Sequence, residues 1–229
     1  MTSTQKNARI AGLLYLLMGI TGAFGLMYVP SKIIVAGNAA ATANNIMTSE
    51  SLFRIGIVSN LICQISFIFL VLALYRLLKG INKIHATLML TLVVVSVPIA
   101  FLNTLNQLGA LLVLSGDEYL KVFEPDKLNA LMMVFLNLHG YGNNIVEIFW
   151  GLWLFPFGFL VFKSGFLPRI LGILLIISCF SYLADSFTFL LIPHYHDIIS
   201  EFASAPAALG ECSIILWLLI KGVKVQQIN

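Results

Sequence analysis

The sequence predicts an all-α protein, a polytopic bundle of six transmembrane helices. Of its 229 residues, 59% are hydrophobic and only 10% are charged, whereas soluble domains usually carry about a quarter charged residues. Six apolar runs approach or exceed the roughly 20 residues that a helix needs to cross the hydrocarbon core of a bilayer. No Lys or Arg lies inside any of these runs. Composition therefore excludes a water-soluble fold.

The six runs lie, in chain order, at residues 10–28, 55–75, 86–114, 128–162, 170–192 and 203–220. The first follows Lys6 and Arg9, as a signal peptide would, but it lacks a small-x-small cleavage site and is longer than most, so we expect it to be span one. The fourth is unusually long, and Gly140 and Gly142 within it can loosen the helix. The chain length suits one bundle, and residues 1–229 are expected to form a single integral membrane domain.

Basic residues predict the orientation of the spans. With the amino terminus inside, nine basic residues fall on the cytoplasmic side: Lys6, Arg9, Arg76, Lys79, Lys83, Lys163, Arg169, Lys221 and Lys224. Four fall on the outer side: Lys32, Arg54, Lys121 and Lys127. The positive-inside rule then predicts that both termini are cytoplasmic. Residues 30–54 and 115–127 are expected to form the longer outer loops.

Three carboxylates lie inside the last three spans: Glu147, Asp185 and Glu211. A carboxylate in a medium of low dielectric constant cannot stay ionised alone, so each must be protonated, hydrated, paired with His or bound to a cation. Carboxylates are costly within a membrane and commonly mark functional sites. Glu211 follows Pro206, and we expect it near the start of its helix, where the helix dipole favours a negative charge.

Helical rise places several polar residues at similar depths. Glu147, Asp185 and Asn60 each lie 16 residues from the basic residue at the inner end of their span, which puts them about 24 Å along the helix axis. His139 and Asn143 share a helical face with Glu147, at spacings of four residues. We therefore expect an outward-opening polar cavity. Its candidate residues are Glu147, Asp185, Glu211, His139, Asn143, Asn60, Gln64 and Asn103. The alternative is that these side chains only tie helices together through hydrogen bonds.

Other chemistry is weakly supported. The three cysteines lie in apolar runs and do not indicate disulfides. His194 and His196 follow Pro193, but their spacing is too unspecific to predict a metal site, so we expect a solvated loop, no metal and no cofactor. Scattered basic residues do not indicate a nucleic-acid partner. The expected partners are the lipid bilayer and a proton, cation or small polar ligand, while any protein partner is unknown.

Three classes of function stay open. The intramembrane acids favour a small ion- or proton-coupled transporter. A noncatalytic membrane partner or sensor, whose outer loops bind another protein, is the first alternative. The second is an intramembrane enzyme that acts on lipid head groups, with a carboxylate or His139 as general base. Enzymatic activity is left uncertain, because the sequence has no GxSxG, Walker, HExxH or paired CxxC motif.

Four stretches of the chain resemble a family of bacterial integral membrane proteins known as domain of unknown function 4386. They are residues 8–15 (ARIAGLLY), 53–56 (FRIG), 151–158 with 163–169 (GLWLFPFG and KSGFLPR), and 209–211 with 216–222 (LGE and LWLLIKG). The third is the most specific, because its spacing of Trp, Pro and Gly is unusual for an apolar helix. The resemblance covers essentially the whole chain. It implies a multi-pass protein of the bacterial cytoplasmic membrane, but it supplies no reaction and no catalytic residues.

Overall fold

The computed structural model describes residues 3–223, which form helices and turns without a β-strand. Within residues 3–223, six helical segments are long and apolar enough to cross a membrane: Thr4–Ile33, Glu50–Leu78, Lys83–Val113, Pro125–Lys163, Arg169–Leu191 and Pro193–Ile220. The all-α fold with six spans is therefore confirmed. The cytoplasmic location of both termini and the single domain stay predictions, and Lys224, one of the nine inner basic residues, lies outside the described residues.

The helices follow the predicted runs closely. They are α1 Ser3–Ala23, α2 Val29–Ile33, α3 Ala39–Thr48, α4 Glu50–Leu78, α5 Lys83–Val113, α6 Pro125–Leu152, α7 Leu154–Lys163, α8 Arg169–Leu191 and α9 His196–Ile220. A π-helix, Phe24–Tyr28, joins α1 to α2, and 3-10 turns occupy Glu118–Leu120 and Pro193–Tyr195. Gly165, with a φ of 72° that favours glycine, makes the turn between α7 and α8.

The polarity of the long helices suits a membrane. Large apolar side chains such as Leu13, Leu102 and Phe180 are exposed, whereas the polar side chains of Asn60 and Gln107 are buried. In water this arrangement would leave apolar surface uncovered, but lipid solvates it, and polar groups then turn inward. The fold thus indicates a multi-pass membrane protein.

The chain divides into two compact units. The first comprises residues 3–17, 66–97 and 144–223 of the described chain. In it α8 packs against both α7 and α9. A Cβ atom added to Gly172 would lie only 2.5 Å from the carbonyl oxygen of Gly158, so α7 and α8 are in backbone contact at these two glycines. Trp153 and Phe157 are buried in this unit, with their rings stacked 5.3 Å apart.

The second unit comprises residues 18–65 and 98–143. Its core consists of buried residues from five helices: Val29, Ile33, Ala43, Ile46, Phe53, Ile57, Ala110, Val113, Met132 and Leu136. Residues 30–54, expected to be a loop, instead form α2, α3 and the start of α4. The expectation was wrong because Asn38 caps α3, its Oδ1 accepting the Ala41 N–H at 2.9 Å, and apolar residues of α3 reach the core.

Two details of the spans also differ from expectation. The long fourth span is continuous at Gly140 and Gly142 and is interrupted instead at Trp153. Pro156 explains this position, because it has no N–H to donate to the Leu152 carbonyl. The last helix begins at His196 rather than near residue 203, so His196 lies in a helix and Glu211 lies well inside it. A hydropathy window misses the first turns of α9 because residues 196–202 are partly polar.

A proline explains the π-helix as well, as Pro156 explains the break at Trp153. The Val29 N–H bonds to the Phe24 carbonyl, five residues back, and residue 30 is a proline that cannot donate in either register. The widened turn carries Gly25, whose Cα packs directly against the Asn60 side chain on α4. A side chain at residue 25 would therefore overlap Asn60.

Candidate functional site

Two intramembrane carboxyl groups meet in the first unit. Glu147 on α6 and Asp185 on α8 approach each other closely enough for their carboxyl groups to interact. Ionised carboxylates only accept hydrogen bonds, so such a pair needs a proton or another cation between its oxygens. The side chain of Asp185 is only 15% exposed, so water solvates a charge on it poorly. The structure thus brings two of the predicted site residues together from two different helices.

His196 closes the site from the first turn of α9. Its Nε2 atom lies 3.3 Å from Oδ1 of Asp185, and its Nδ1 atom lies 3.7 Å from Oδ1 of Asp197. The Nε2 and Asp185 Oδ1 atoms are both buried, and neither makes a well-aligned hydrogen bond among the described residues. Two carboxylate side chains therefore flank the imidazole ring of His196.

Glu211 lies in a second carboxylate site of the same unit. The hydroxyl of Tyr15 on α1 donates to its Oε2 atom at 2.6 Å, and the hydroxyl of Tyr182 on α8 donates to its Oε1 atom at 2.6 Å. Each oxygen thus has its own donor, in the short range typical of hydrogen bonds to an ionised group. This pairing, rather than the start of a helix, is what accommodates Glu211.

Aromatic side chains pack against the ring of Tyr15. Tyr15 is fully buried, and its ring lies 5.9 Å from that of Trp153, which contacts Phe67 at 4.9 Å in an edge-on arrangement. Such packing keeps water away and fixes the ring in one position. The Tyr15–Glu211 hydrogen bond consequently lies in a rigid and apolar setting.

An amide network forms in the second unit. Asn103 Nδ2 donates to the His139 carbonyl and to Asn143 Oδ1, both at 2.9 Å, and Asn106 Nδ2 donates to Asn103 Oδ1 at 3.0 Å. His139 Nδ1 lies 3.2 Å from the Asn103 carbonyl, and its Nε2 lies 3.3 Å from Asn143 Nδ2. Both ring nitrogens therefore already have partners, which disfavours His139 as a general base.

Asn60 and Gln64, the remaining candidates, are buried on α4 in the second unit. Neither polar atom of the Asn60 amide nor Oε1 of Gln64 has a hydrogen-bond partner among the described residues. A separate cavity of about 260 Å³ in this unit is lined by Ile46, Met47, Glu50, Arg54, Leu111, Leu114 and Ser115. None of the eight candidate residues lines it. No group of three or more His, Cys, Asp or Glu side chains in residues 3–223 is placed to hold a metal.

A family profile described as "Domain of unknown function (DUF4386)" matches residues 10–222. The chain belongs to this family. The match includes both carboxylate sites of the first unit and the amide network of the second. DUF4386 membership thus confirms the resemblance seen in the sequence, and the family description itself states no activity.

The chain is also similar to an "Uncharacterized protein" of Archaeoglobus fulgidus. It is 37% identical over 81 residues, which is 35% of this chain and 46% of the relative. The matched part thus spans under half the length of that relative. No solved structure matches the chain.

The sequence predicted the carboxylates but missed three of their partners. Tyr15 and Tyr182 bond Glu211, and His196 approaches Asp185. The three-residue spacing between Tyr182 and Asp185 places both on one helical face, but it does not link Tyr182 to Glu211. No comparable signal links Tyr15 or His196 to a carboxylate far along the chain.

Proposed function

We propose that this DUF4386 protein is a small ion- or proton-coupled transporter, in which Glu147 and Asp185 take up the coupling ion. The contact between these two carboxyl groups, on separate membrane-spanning helices, carries the proposal. No Lys or Arg lies within the predicted apolar cores to neutralise the pair. A proton or a small cation is therefore the natural partner, and its uptake would change the attraction between α6 and α8.

The proposal also includes a location and an orientation. The nine-to-four distribution of basic residues supports a cytoplasmic location for both termini. The apolar exposed faces of the spans support residence in the cell membrane. In that orientation Glu147 and Asp185 lie nearer the outer end of their spans, about 24 Å from the inner basic residues, and would receive their ion from outside.

The first test is the ion dependence of stability. Purified protein in lipid nanodiscs would be heated over a series of pH values and of Na⁺, K⁺ and Li⁺ concentrations. A ligand of the folded state present at 100 times its Kd stabilises by about 2.7 kcal/mol. We expect one ion to raise the Tm of the wild type, and Glu147→Gln and Asp185→Asn to remove that rise. Glu118→Gln, at an exposed ion pair with Lys121, is the matched control and should respond as the wild type does.

Charge movement provides the second test. Proteoliposomes adsorbed to a solid-supported membrane report charge displacement when the ion concentration jumps, even when the transported solute is unidentified. The proposal predicts a transient current in the wild type that Glu147→Gln removes. An ion-independent Tm together with identical currents in both would refute it and favour a noncatalytic partner protein.

A further inference from the structure

We propose that the cavity of about 260 Å³ in the second unit binds the head group of a zwitterionic phospholipid with a primary ammonium group, as in phosphatidylethanolamine. Two charged side chains, Glu50 and Arg54, line this cavity together with Ser115 and several apolar side chains. The site is independent of the Glu147–Asp185 pair, which belongs to the first unit.

The cavity lies where one membrane-spanning helix begins and the next one ends. Its lining residues come from the end of α3, the first two turns of α4, and the last turn of α5 with the residues that follow it. The helices α4 and α5 have 29 and 31 residues. Each is therefore over about 40 Å long and extends past the hydrocarbon core of roughly 30 Å. The charged residues at this end place the cavity at the level of the lipid head groups.

The two charged residues form an ion pair that leaves binding groups free. Arg54 Nε donates to Glu50 Oε1 at 2.6 Å, and the two side chains are 58% and 50% exposed. The terminal nitrogens of the Arg54 guanidinium have no protein partner among residues 3–223. A guanidinium matches the oxygens of a phosphate group in a two-pronged arrangement. Arg54 can therefore bind a phosphate without releasing Glu50.

Glu50 disfavours a ligand that carries only negative charge. A phosphate bound at Arg54 would lie close to the Glu50 carboxylate, and like charges at short range repel each other. An ammonium group on the same ligand offsets this repulsion, because it can donate to the carboxylate. A primary ammonium has three N–H donors, whereas the quaternary ammonium of choline has none. The pair thus favours an ethanolamine head group.

The helix ends beside the cavity favour the same kind of ligand. The helix α4 begins at Glu50, and α5 ends at Val113 without a basic residue in its last turn. The start of a helix attracts negative charge and its end attracts positive charge. The start of α4 therefore adds to the attraction of Arg54 for a phosphate, and the end of α5 adds to that of Glu50 for an ammonium group.

The size and surroundings of the cavity favour a lipid over a free solute. Pockets that enclose a drug-sized molecule measure roughly 300–1,000 Å³, so this cavity suits a head group rather than a whole amphiphile. Met47, which lines it, is 55% exposed. Ile55 on α4 and Leu108 and Leu112 on α5 are also exposed. These apolar side chains offer a surface for the acyl chains of a lipid whose head group occupies the cavity.

Native mass spectrometry of the full chain in detergent tests the site by titration. The titrants are phosphatidylethanolamine, phosphatidylcholine and phosphatidylglycerol with identical acyl chains, and water-soluble O-phosphoethanolamine. A hydrogen bond to a charged group typically changes an affinity about tenfold or more. We expect the wild type to bind phosphatidylethanolamine at least about tenfold more tightly than each of the other three ligands.

Substitutions at the ion pair have opposite effects on two of the lipids. Arg54→Gln should weaken the binding of phosphatidylethanolamine about tenfold. Glu50→Gln should weaken it as well, but should strengthen the binding of phosphatidylglycerol, because Arg54 then faces the phosphate without a competing carboxylate. Met47→Trp should weaken lipid binding by narrowing the cavity from its exposed side. Lys127→Gln, at an exposed ion pair with Glu124, is the control and should change each affinity by no more than about twofold.

Far-UV circular dichroism first establishes that each variant is folded. A preference for phosphatidylethanolamine that both ion-pair variants remove and Lys127→Gln retains would support the site. Equal affinities of the wild type for the three lipids would overturn it, as would equal losses in Arg54→Gln and Lys127→Gln. Tighter binding of phosphatidylglycerol by the wild type would refute a zwitterionic ligand. Equally tight binding of O-phosphoethanolamine would refute a lipid as the source of the head group.

Discussion

Gly172→Ala gives the most direct test of the helix packing that positions α8. The added Cβ atom would lie 2.5 Å from the Gly158 carbonyl oxygen and 2.7 Å from the Phe162 nitrogen. These distances are about 1 Å short of ordinary contact. Both opposing atoms belong to the backbone, so no side chain can rotate away, and α7 and α8 must separate.

The size of the effect follows from two opposing terms. Overpacking of a well-packed contact costs about 1–3 kcal/mol, whereas alanine in a helix interior is favoured over glycine by roughly 0.5–1 kcal/mol. We expect a net loss of about 1–2 kcal/mol in the free energy of unfolding. Gly140→Ala in α6 is the matched control, because no atom beyond the adjacent backbone of its own helix lies within 4 Å of its added Cβ. That variant should gain roughly 0.5–1 kcal/mol.

The assay is reversible unfolding in mixed micelles, titrated with SDS and followed by far-UV circular dichroism. Tryptophan fluorescence adds a probe of the first unit, where Trp150, Trp153 and Trp217 all lie. The reasoning fails if Gly172→Ala is as stable as the wild type, or if both glycine variants change in the same direction. Either result would mean that the α7–α8 contact relaxes without cost.

Two further predictions concern the second unit. Asn103→Ala removes three amide hydrogen bonds. At about 0.6 kcal/mol for each bond, the variant should lose roughly 2 kcal/mol in the free energy of unfolding. Asn137→Ala, which removes an exposed amide on α6, is the control and should lose nothing measurable in the same titration. Gly25→Ala places a Cβ atom against Asn60, and the double variant with Asn60→Ala should recover about 1–3 kcal/mol. Additive losses in that double-mutant cycle would contradict the contact between the π-helix and α4.

Local composition was enough to predict the spans. Uninterrupted apolar runs bounded by Arg76, Lys83, Lys163 and Arg169 predicted four helix ends within a few residues. The prediction failed at residues 30–54 and 196–202, which are only moderately apolar and are helical for other reasons. An Asn cap and a shared core stabilise α3, and a 3-10 turn leads directly into α9.

The candidate site was also predicted in part from the sequence and in part only from the tertiary structure. The sequence by itself determined that Glu147, Asp185 and Glu211 lie inside spans without a basic neighbour, because burial in a membrane follows from the hydropathy of each segment. Only the tertiary structure decided that Asp185 meets Glu147 and that Glu211 meets two tyrosines. Such meetings depend on the rotation of each helix and on which helices are neighbours. The close approach of Gly172 to Gly158 is one such contact, and the hydropathy of the two segments does not reveal it.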